Sequence, residues 1–193
     1  MTRRSTRLLT GAILVLAGAA ALATALVGYG RGGAWQRGHP TRDPILATEV
    51  PGVPLVRPGE PFARLSIPKI GLDVVVIEGT REEDLMKAPG HLAGSALPGA
   101  ADNCIIAGHR DLHFRRLGHL GPGDLVRLEA GGREVEYRVE GTRVVGADDT
   151  AVLARAREPL LTLITCYPFH YVGPAPRRFV VQARLAGAPG PAL

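Results

Sequence analysis

Residues 133–140 read Arg-Glu-Val-Glu-Tyr-Arg-Val-Glu, so Val135, Tyr137 and Val139 alternate without a break with charged neighbours. Successive side chains of a strand point to opposite faces, and this segment therefore buries one face and wets the other. It follows Gly131-Gly132, a pair that tolerates the positive φ of a two-residue hairpin turn, and the run 125–130 precedes that turn. The two runs read as a hairpin. Similar short apolar runs occupy 61–67, closed by Pro68, then 72–77, 103–107, 160–166 and 178–185, with 142–145 as a further short strand. Helical signals are few. Thr80 and Glu83 have the spacing of a capping box, predicting a short helix over 81–87, and a helical turn is expected within 148–156.

At least seven short strands without a βαβ rhythm predict an all-β fold, and a closed or nearly closed β-barrel buries them without exposed edges. The 25 glycines and 16 prolines fit that turn-rich class better than a helix bundle. The 193 residues, less the terminal segments, leave room for one domain, expected over 61–185 and followed by a Gly/Pro tail over 186–193.

Residues 8–30 contain no charge and are preceded by Arg3, Arg4 and Arg7, the 1–7 segment forming a basic tail. As a helix, 8–30 would span about 35 Å, enough for a hydrocarbon layer of about 30 Å with some tilt. The basic residues ahead of it predict a cytoplasmic N-terminus and an external remainder. Ala21-Leu22-Ala23 and Ala23-Thr24-Ala25 also fit a cleavable signal peptide, but the apolar stretch is longer than such a core, which favours a retained anchor. Residues 31–60, with Pro40, Pro44, Pro51, Pro54 and Pro58, read as a linker that holds the domain clear of the lipid.

The formal charge of +5 does not predict nucleic-acid binding. Without Arg3, Arg4 and Arg7 the chain has 20 basic against 18 acidic residues, with no basic run interleaved with aromatics.

The chemistry-bearing residues lie at strand ends. Cys166 ends one apolar run and Arg178 begins the next. A thiol needs a partner to become a nucleophile, usually histidine, and His109 differs from the other histidines in ending a buried strand directly after a glycine. His39 falls in the linker, and His91 and His119 are expected in solvated surface loops. A guanidinium cannot act as base but can stabilise an oxyanion with forked donors. Cys104 lies five residues, or about 16 Å, behind His109 on the opposite strand face; it reads as a buried small apolar residue rather than a disulfide partner of Cys166. His113 follows His109 by four residues, a spacing that suggests zinc with Cys166, although a fourth ligand is missing and no metal is expected.

Three motifs together, Ala-Gly-His-Arg-Asp (107–111), Thr-Leu-Ile-Thr-Cys-Tyr-Pro-Phe (162–169) and Gly-Pro-Ala-Pro-Arg-Arg-Phe-Val-Val (173–181), resemble those of the sortases, membrane-anchored bacterial cysteine transpeptidases. The Cys-Tyr-Pro-Phe wording is most similar to class D, and the resemblance starts at Arg-Leu-Ser-Ile-Pro-Lys-Ile-Gly-Leu-Asp (64–73). It implies an eight-stranded barrel without a cofactor, in which His109, Cys166 and Arg178 line one groove. Cys166 would attack the carbonyl of a motif similar to Leu-Pro-x-Thr-Gly and form a thioacyl enzyme. His109 would protonate the leaving amine and deprotonate the incoming one, and Arg178 would orient substrate and stabilise the oxyanion. Strand alternation points Arg177 the other way. Thr165 and Tyr167 are candidate substrate-binding residues. The implied partners are a surface protein with a C-terminal sorting motif and an amine acceptor, either a cell-wall precursor or a pilin-like lysine. His170 departs from the class, which often has an aromatic residue there. A thiol peptidase that releases its substrate to water, and an anchored binding module without activity, are the alternatives.

Overall fold

The computed structural model describes residues 17–24, 27, 34–38 and 56–186. Eight strands close into a barrel: β1 (Pro61–Ile67), β2 (Leu72–Glu78), β3 (Gly90–His91), β4 (Asn103–Gly108), β5 (Leu125–Ala130), β6 (Arg133–Gly146), β7 (Leu160–Tyr167) and β8 (Arg177–Leu185). Their order around the wall is β1-β2-β3-β4-β7-β8-β6-β5, and β5 closes on β1. Two pairings, β2–β3 and β4–β7, are parallel.

The alternating hairpin forms as expected: β5 and β6 pair antiparallel, and Val135, Tyr137 and Val139 face inward. Tyr137 is fully buried, and its hydroxyl accepts a hydrogen bond from the Gly99 N–H at 2.7 Å, which satisfies the polar end inside an apolar core. The separate strand expected over 142–145 is instead the second half of β6. β6 pairs with β5 over 133–138 and with β8 over 137–146, with a register shift between Val139 and Gly141.

Inside the wall lie Phe62, Leu65, Ile67, Val76, Ile106, Leu128, Leu161, Leu163 and Val181, each large side chain contributing about 1.5–3 kcal/mol by burial. β4 is buried on both faces, and a 3₁₀ turn, Thr150–Leu153, with Val152 buried, lies against its first residue. Asn103 fixes that turn. Its amide donates to the carbonyls of Val152 (3.3 Å) and Ala154 (3.0 Å), and its oxygen accepts from Thr162 Oγ1 (2.8 Å).

Two local expectations are corrected. The helix α1 is a single turn, Glu82–Leu85, and carries no capping box. Arg81 is its N-cap residue, and the Glu83 carboxylate pairs with the Arg81 guanidinium at 3.1 Å instead of folding back on the backbone. His91 is not in a solvated loop. It lies in β3, is 2% exposed, stacks on Phe62 with ring centroids 4.0 Å apart, and places Nδ1 2.7 Å from Glu78 Oε2. A two-residue strand has too short a pattern to be read from sequence.

The predicted membrane segment 8–30 lies largely outside the described residues, of which 17–24 are helical and exposed. Among the described residues no helix is long and apolar enough to cross a membrane. Of the expected linker, 34–38 form a helical turn. Its Gln36 accepts from the Val75 N–H (2.9 Å) and donates to the Val75 carbonyl (3.1 Å), as a neighbouring strand would, so this segment is docked on the outer edge of β2.

Candidate active site

Three adjacent strands bring three side chains to one end of the barrel wall. β7 lies between β4 and β8, and Cys166 pairs directly across with Arg178. On its other side, Thr165 is in register with Gly108, so His109 leaves β4 next to Cys166. The odd-numbered positions of β7 face the core: Leu161 and Leu163 are fully buried and Thr165 nearly so. Cys166 therefore faces outward and is partly buried. The Arg178 guanidinium is steadied by the carbonyls of Ala175 (3.2 Å) and Arg177 (3.0 Å), to which its Nη1 donates, while Arg177 itself is exposed.

Gly108 is required by packing. A Cβ at that position would come within 2.7 Å of the Phe114 ring, which is buried beneath the turn that follows His109. The turn is closed by the Phe114 N–H, which donates to the His109 carbonyl at 3.2 Å. The imidazole is 22% exposed, and its Nε2 lies 3.5 Å from Glu82 Oε1 but makes no hydrogen bond. His113, one turn on, has Nε2 3.2 Å from the Lys87 carbonyl rather than facing Cys166, and burial pushes its pKa down.

The segment from Tyr167 to Arg177 is pinned at three points. Tyr167-Pro168 is cis, and Phe169 lies so close to Gly118 that a Cβ there would meet its ring at 2.6 Å. Arg110, immediately after His109, donates from Nη2 to the carbonyls of Tyr171 (2.8 Å) and Gly173 (3.1 Å), with its guanidinium 5.7 Å from the Tyr171 ring centroid. Ala175 is the third point, through Arg178. The loop that leads into Arg178 is thus tied to the residue that follows His109.

Two expected substrate contacts are not brought to the groove. Thr165 is 3% exposed and turns inward, its hydroxyl donating to the Gly108 carbonyl at 2.6 Å; it ties β4 to β7 and so sets His109 beside Cys166. Tyr167 joins a cluster with Phe169 and Phe179, at centroid distances of 5.7 and 6.2 Å, which props the loop. Cys104 is a free, buried thiol whose pKa burial pushes up to about 12, and it is inert to chemistry near neutral pH. Two contributors escaped the sequence reading. Arg110 stood within a quoted motif, but nothing local showed what it holds; Glu82 had no signal, because its approach to His109 is purely tertiary.

A partly exposed thiol with an imidazole on one side and a guanidinium on the other suits nucleophilic acyl transfer: a thiolate to attack a carbonyl, a group to shuttle the proton, and a fixed cation for the developing oxyanion.

Comparison with known proteins agrees with this arrangement. The family description "Sortase domain" matches residues 65–186. Sortase D of Bacillus subtilis (strain 168) is 39% identical over 127 residues, which cover 65% of this chain and 64% of that protein. The chain thus spans a little under two thirds of that relative's length. Among solved structures, the Clostridium perfringens sortase D5 transpeptidase superposes with a TM-score of 0.63 at 30% identity, covering 68% of this chain and 82% of that one. C. perfringens sortase C with a C-terminal cell wall sorting motif superposes with a TM-score of 0.62 at 25% identity, covering 72% and 77%.

Proposed function

The chain belongs to the sortase family and is most like its class D, and from that premise we propose that it is a cysteine transpeptidase. It cleaves a sorting motif similar to Leu-Pro-x-Thr-Gly and passes the cargo protein to an amine acceptor at the cell surface. The observation that carries this reading is the pairing of Cys166 with Arg178 across β7–β8, one register position from the Gly108–Thr165 pair that precedes His109.

In this reading the Cys166 thiolate adds to the scissile carbonyl, and Arg178 stabilises the charge on oxygen. The His109 imidazolium protonates the departing amine as the C–N bond breaks, leaving a thioacyl enzyme and a neutral imidazole. That imidazole then takes a proton from the incoming amine as the C–S bond breaks. The solved structure of C. perfringens sortase C with the C-terminal cell wall sorting motif supports the substrate class. A surface protein with a C-terminal sorting motif would be the cargo, and a cell-wall precursor or a pilin-like lysine the acceptor. We assign 61–185 as the catalytic domain, 8–30 as a membrane anchor that holds it outside the cell, and 31–60 as the connection.

The test is intact-mass spectrometry of the full-length chain incubated with Leu-Pro-x-Thr-Gly peptides. A thioacyl adduct forms on the wild type and is absent from Cys166→Ala; an adduct that persists in the variant overturns the reading.

A further inference from the structure

The acceptor of such a transfer reaches the enzyme as a cation, because a lysine side chain has an unperturbed pKa near 10.4 and an α-amino group one near 8. We propose that Glu82 is the residue that receives this ammonium and sets it against His109; the proposal rests on the transpeptidase reading above.

A contrast within the molecule motivates it. The fold contains a carboxylate–imidazole pair built for structure, Glu78 with His91: 2.7 Å apart, with side chains 13% and 3% exposed. Glu82 and His109 do not resemble it. They are 3.5 Å apart, the Glu82 side chain is 81% exposed, and His109 Nε2 has no hydrogen bond. A carboxylate that merely oriented an imidazole would be expected to close that gap and be shielded, as Glu78 is. A nitrogen placed about 2.9 Å from both Glu82 Oε1 and His109 Nε2 completes a triangle on that 3.5 Å base, with hydrogen-bond distances to each. His109 Nε2 is itself shielded from solvent, and the exposed Glu82 side chain beside it has to swing aside to admit the nitrogen and then close on it.

Charge around the site points the same way. The neighbouring acids on α1 are engaged: Glu83 with Arg81 at 3.1 Å, and Asp84 with Arg81 at 2.9 Å and Lys87 at 3.6 Å. Among the described residues Glu82 has no lysine or arginine partner. The other side of the thiol is cationic, with Arg178 facing Cys166 and Arg110 holding the loop. An anionic transition state is favoured on that side, and an ammonium is repelled from it toward Glu82.

The step balances. The ammonium held by Glu82 loses one proton to solvent, and its nitrogen lone pair adds to the thioester carbon. As the tetrahedral adduct collapses, the C–N bond is kept, the C–S bond breaks, and the second proton passes to neutral His109. The products are the amide and a Cys166 thiolate beside an imidazolium.

The experiment measures, for the full-length thioacyl enzyme at pH 7.5, its partition between water and an added nucleophile. Acetyl-lysine amide and triglycine amide are the cationic probes, and hydroxylamine, uncharged at that pH, is the control. In Glu82→Gln the amine concentration needed for half-capture rises about fivefold, as expected for loss of one exposed ion pair, and capture by hydroxylamine does not follow it. Raised salt weakens amine capture by the wild type and not by the variant. Unchanged amine capture in Glu82→Gln overturns the proposal. So does an equal fall with hydroxylamine, or in the separately measured acylation rate, which would make Glu82 a support for His109. Failure of the wild type to form any adduct is a different outcome: it overturns the transpeptidase reading, and this proposal with it.

Discussion

Cys166 and Arg178 face each other directly across the β7–β8 ladder, and their side chains leave the barrel wall on the same outer face. The guanidinium is held by two carbonyls of its own strand entry, so its conformation is set before any substrate arrives. That preorganisation is what makes a cation effective for a developing oxyanion.

Arg178→Ala is therefore expected to lower the second-order rate of acylation by about 10²–10³-fold. Alkylation of Cys166 by iodoacetamide, which forms no oxyanion, falls far less. Arg178→Lys recovers only part of the loss, because an ammonium lacks the planar fork. Stopped-time mass spectrometry of both reactions checks the difference.

Gly108→Ala drives a methyl group into the Phe114 ring at 2.7 Å. Overpacking of this kind costs about 1–3 kcal/mol, and the melting temperature should drop by several degrees. Phe114→Leu in the same chain removes the ring and restores part of the loss, as calorimetry of the two variants will show.

Arg110→Ala releases the carbonyls of Tyr171 and Gly173 together. Amides of 168–176 then exchange faster with deuterium, and KM for the sorting peptide rises by about tenfold, the worth of one or two charge-assisted hydrogen bonds. A lysine in its place is shorter and lacks the planar guanidinium that lies 5.7 Å from the Tyr171 ring centroid, and it leaves part of the defect.

Acid stability provides a pH test. Asp102 accepts from the N–H groups of Ala156 and Asn103 and pairs with Arg155, and these bonds hold its carboxyl at about 2, below the ordinary 3.8. A lowered pKa means that the unfolded chain binds the proton first. This stability is present above pH 3.8 and is lost as pH falls from there toward about 2. His113, whose pKa burial lowers, adds an earlier decline below about 6.5, where the unfolded chain takes up a proton that the folded one resists. Thermal melts from pH 7 to 2 should show both declines. Asp102→Asn shrinks the lower one, to which Asp124, its pKa lowered by the Lys69 hydrogen bond, also contributes, and His113→Gln shrinks the upper.

Much of the barrel was legible because alternation is a local property: the Val135, Tyr137 and Val139 face is written in consecutive residues, and the structure buries it. His109, Cys166 and Arg178 could be singled out as strand-end residues with the right chemistry. The failures are equally physical. β3 is two residues long, below the length at which a period exists, so His91 read as solvated. Thr165 read as a substrate contact because it adjoins Cys166, but the period of two that sends Cys166 outward sends Thr165 inward.

The sequence by itself determined which longer segments become strands and that the Gly131-Gly132 turn, with both φ positive, joins two of them, because dihedral preference and hydrophobic period depend on near neighbours alone. Tertiary structure decided which strands lie side by side. Only the closure order, with β7 between β4 and β8, puts a histidine from one strand and an arginine from another on either side of the same thiol. It also decided the Glu82–His109 approach at 3.5 Å, which joins two segments 27 positions apart through packing that no local pattern encodes.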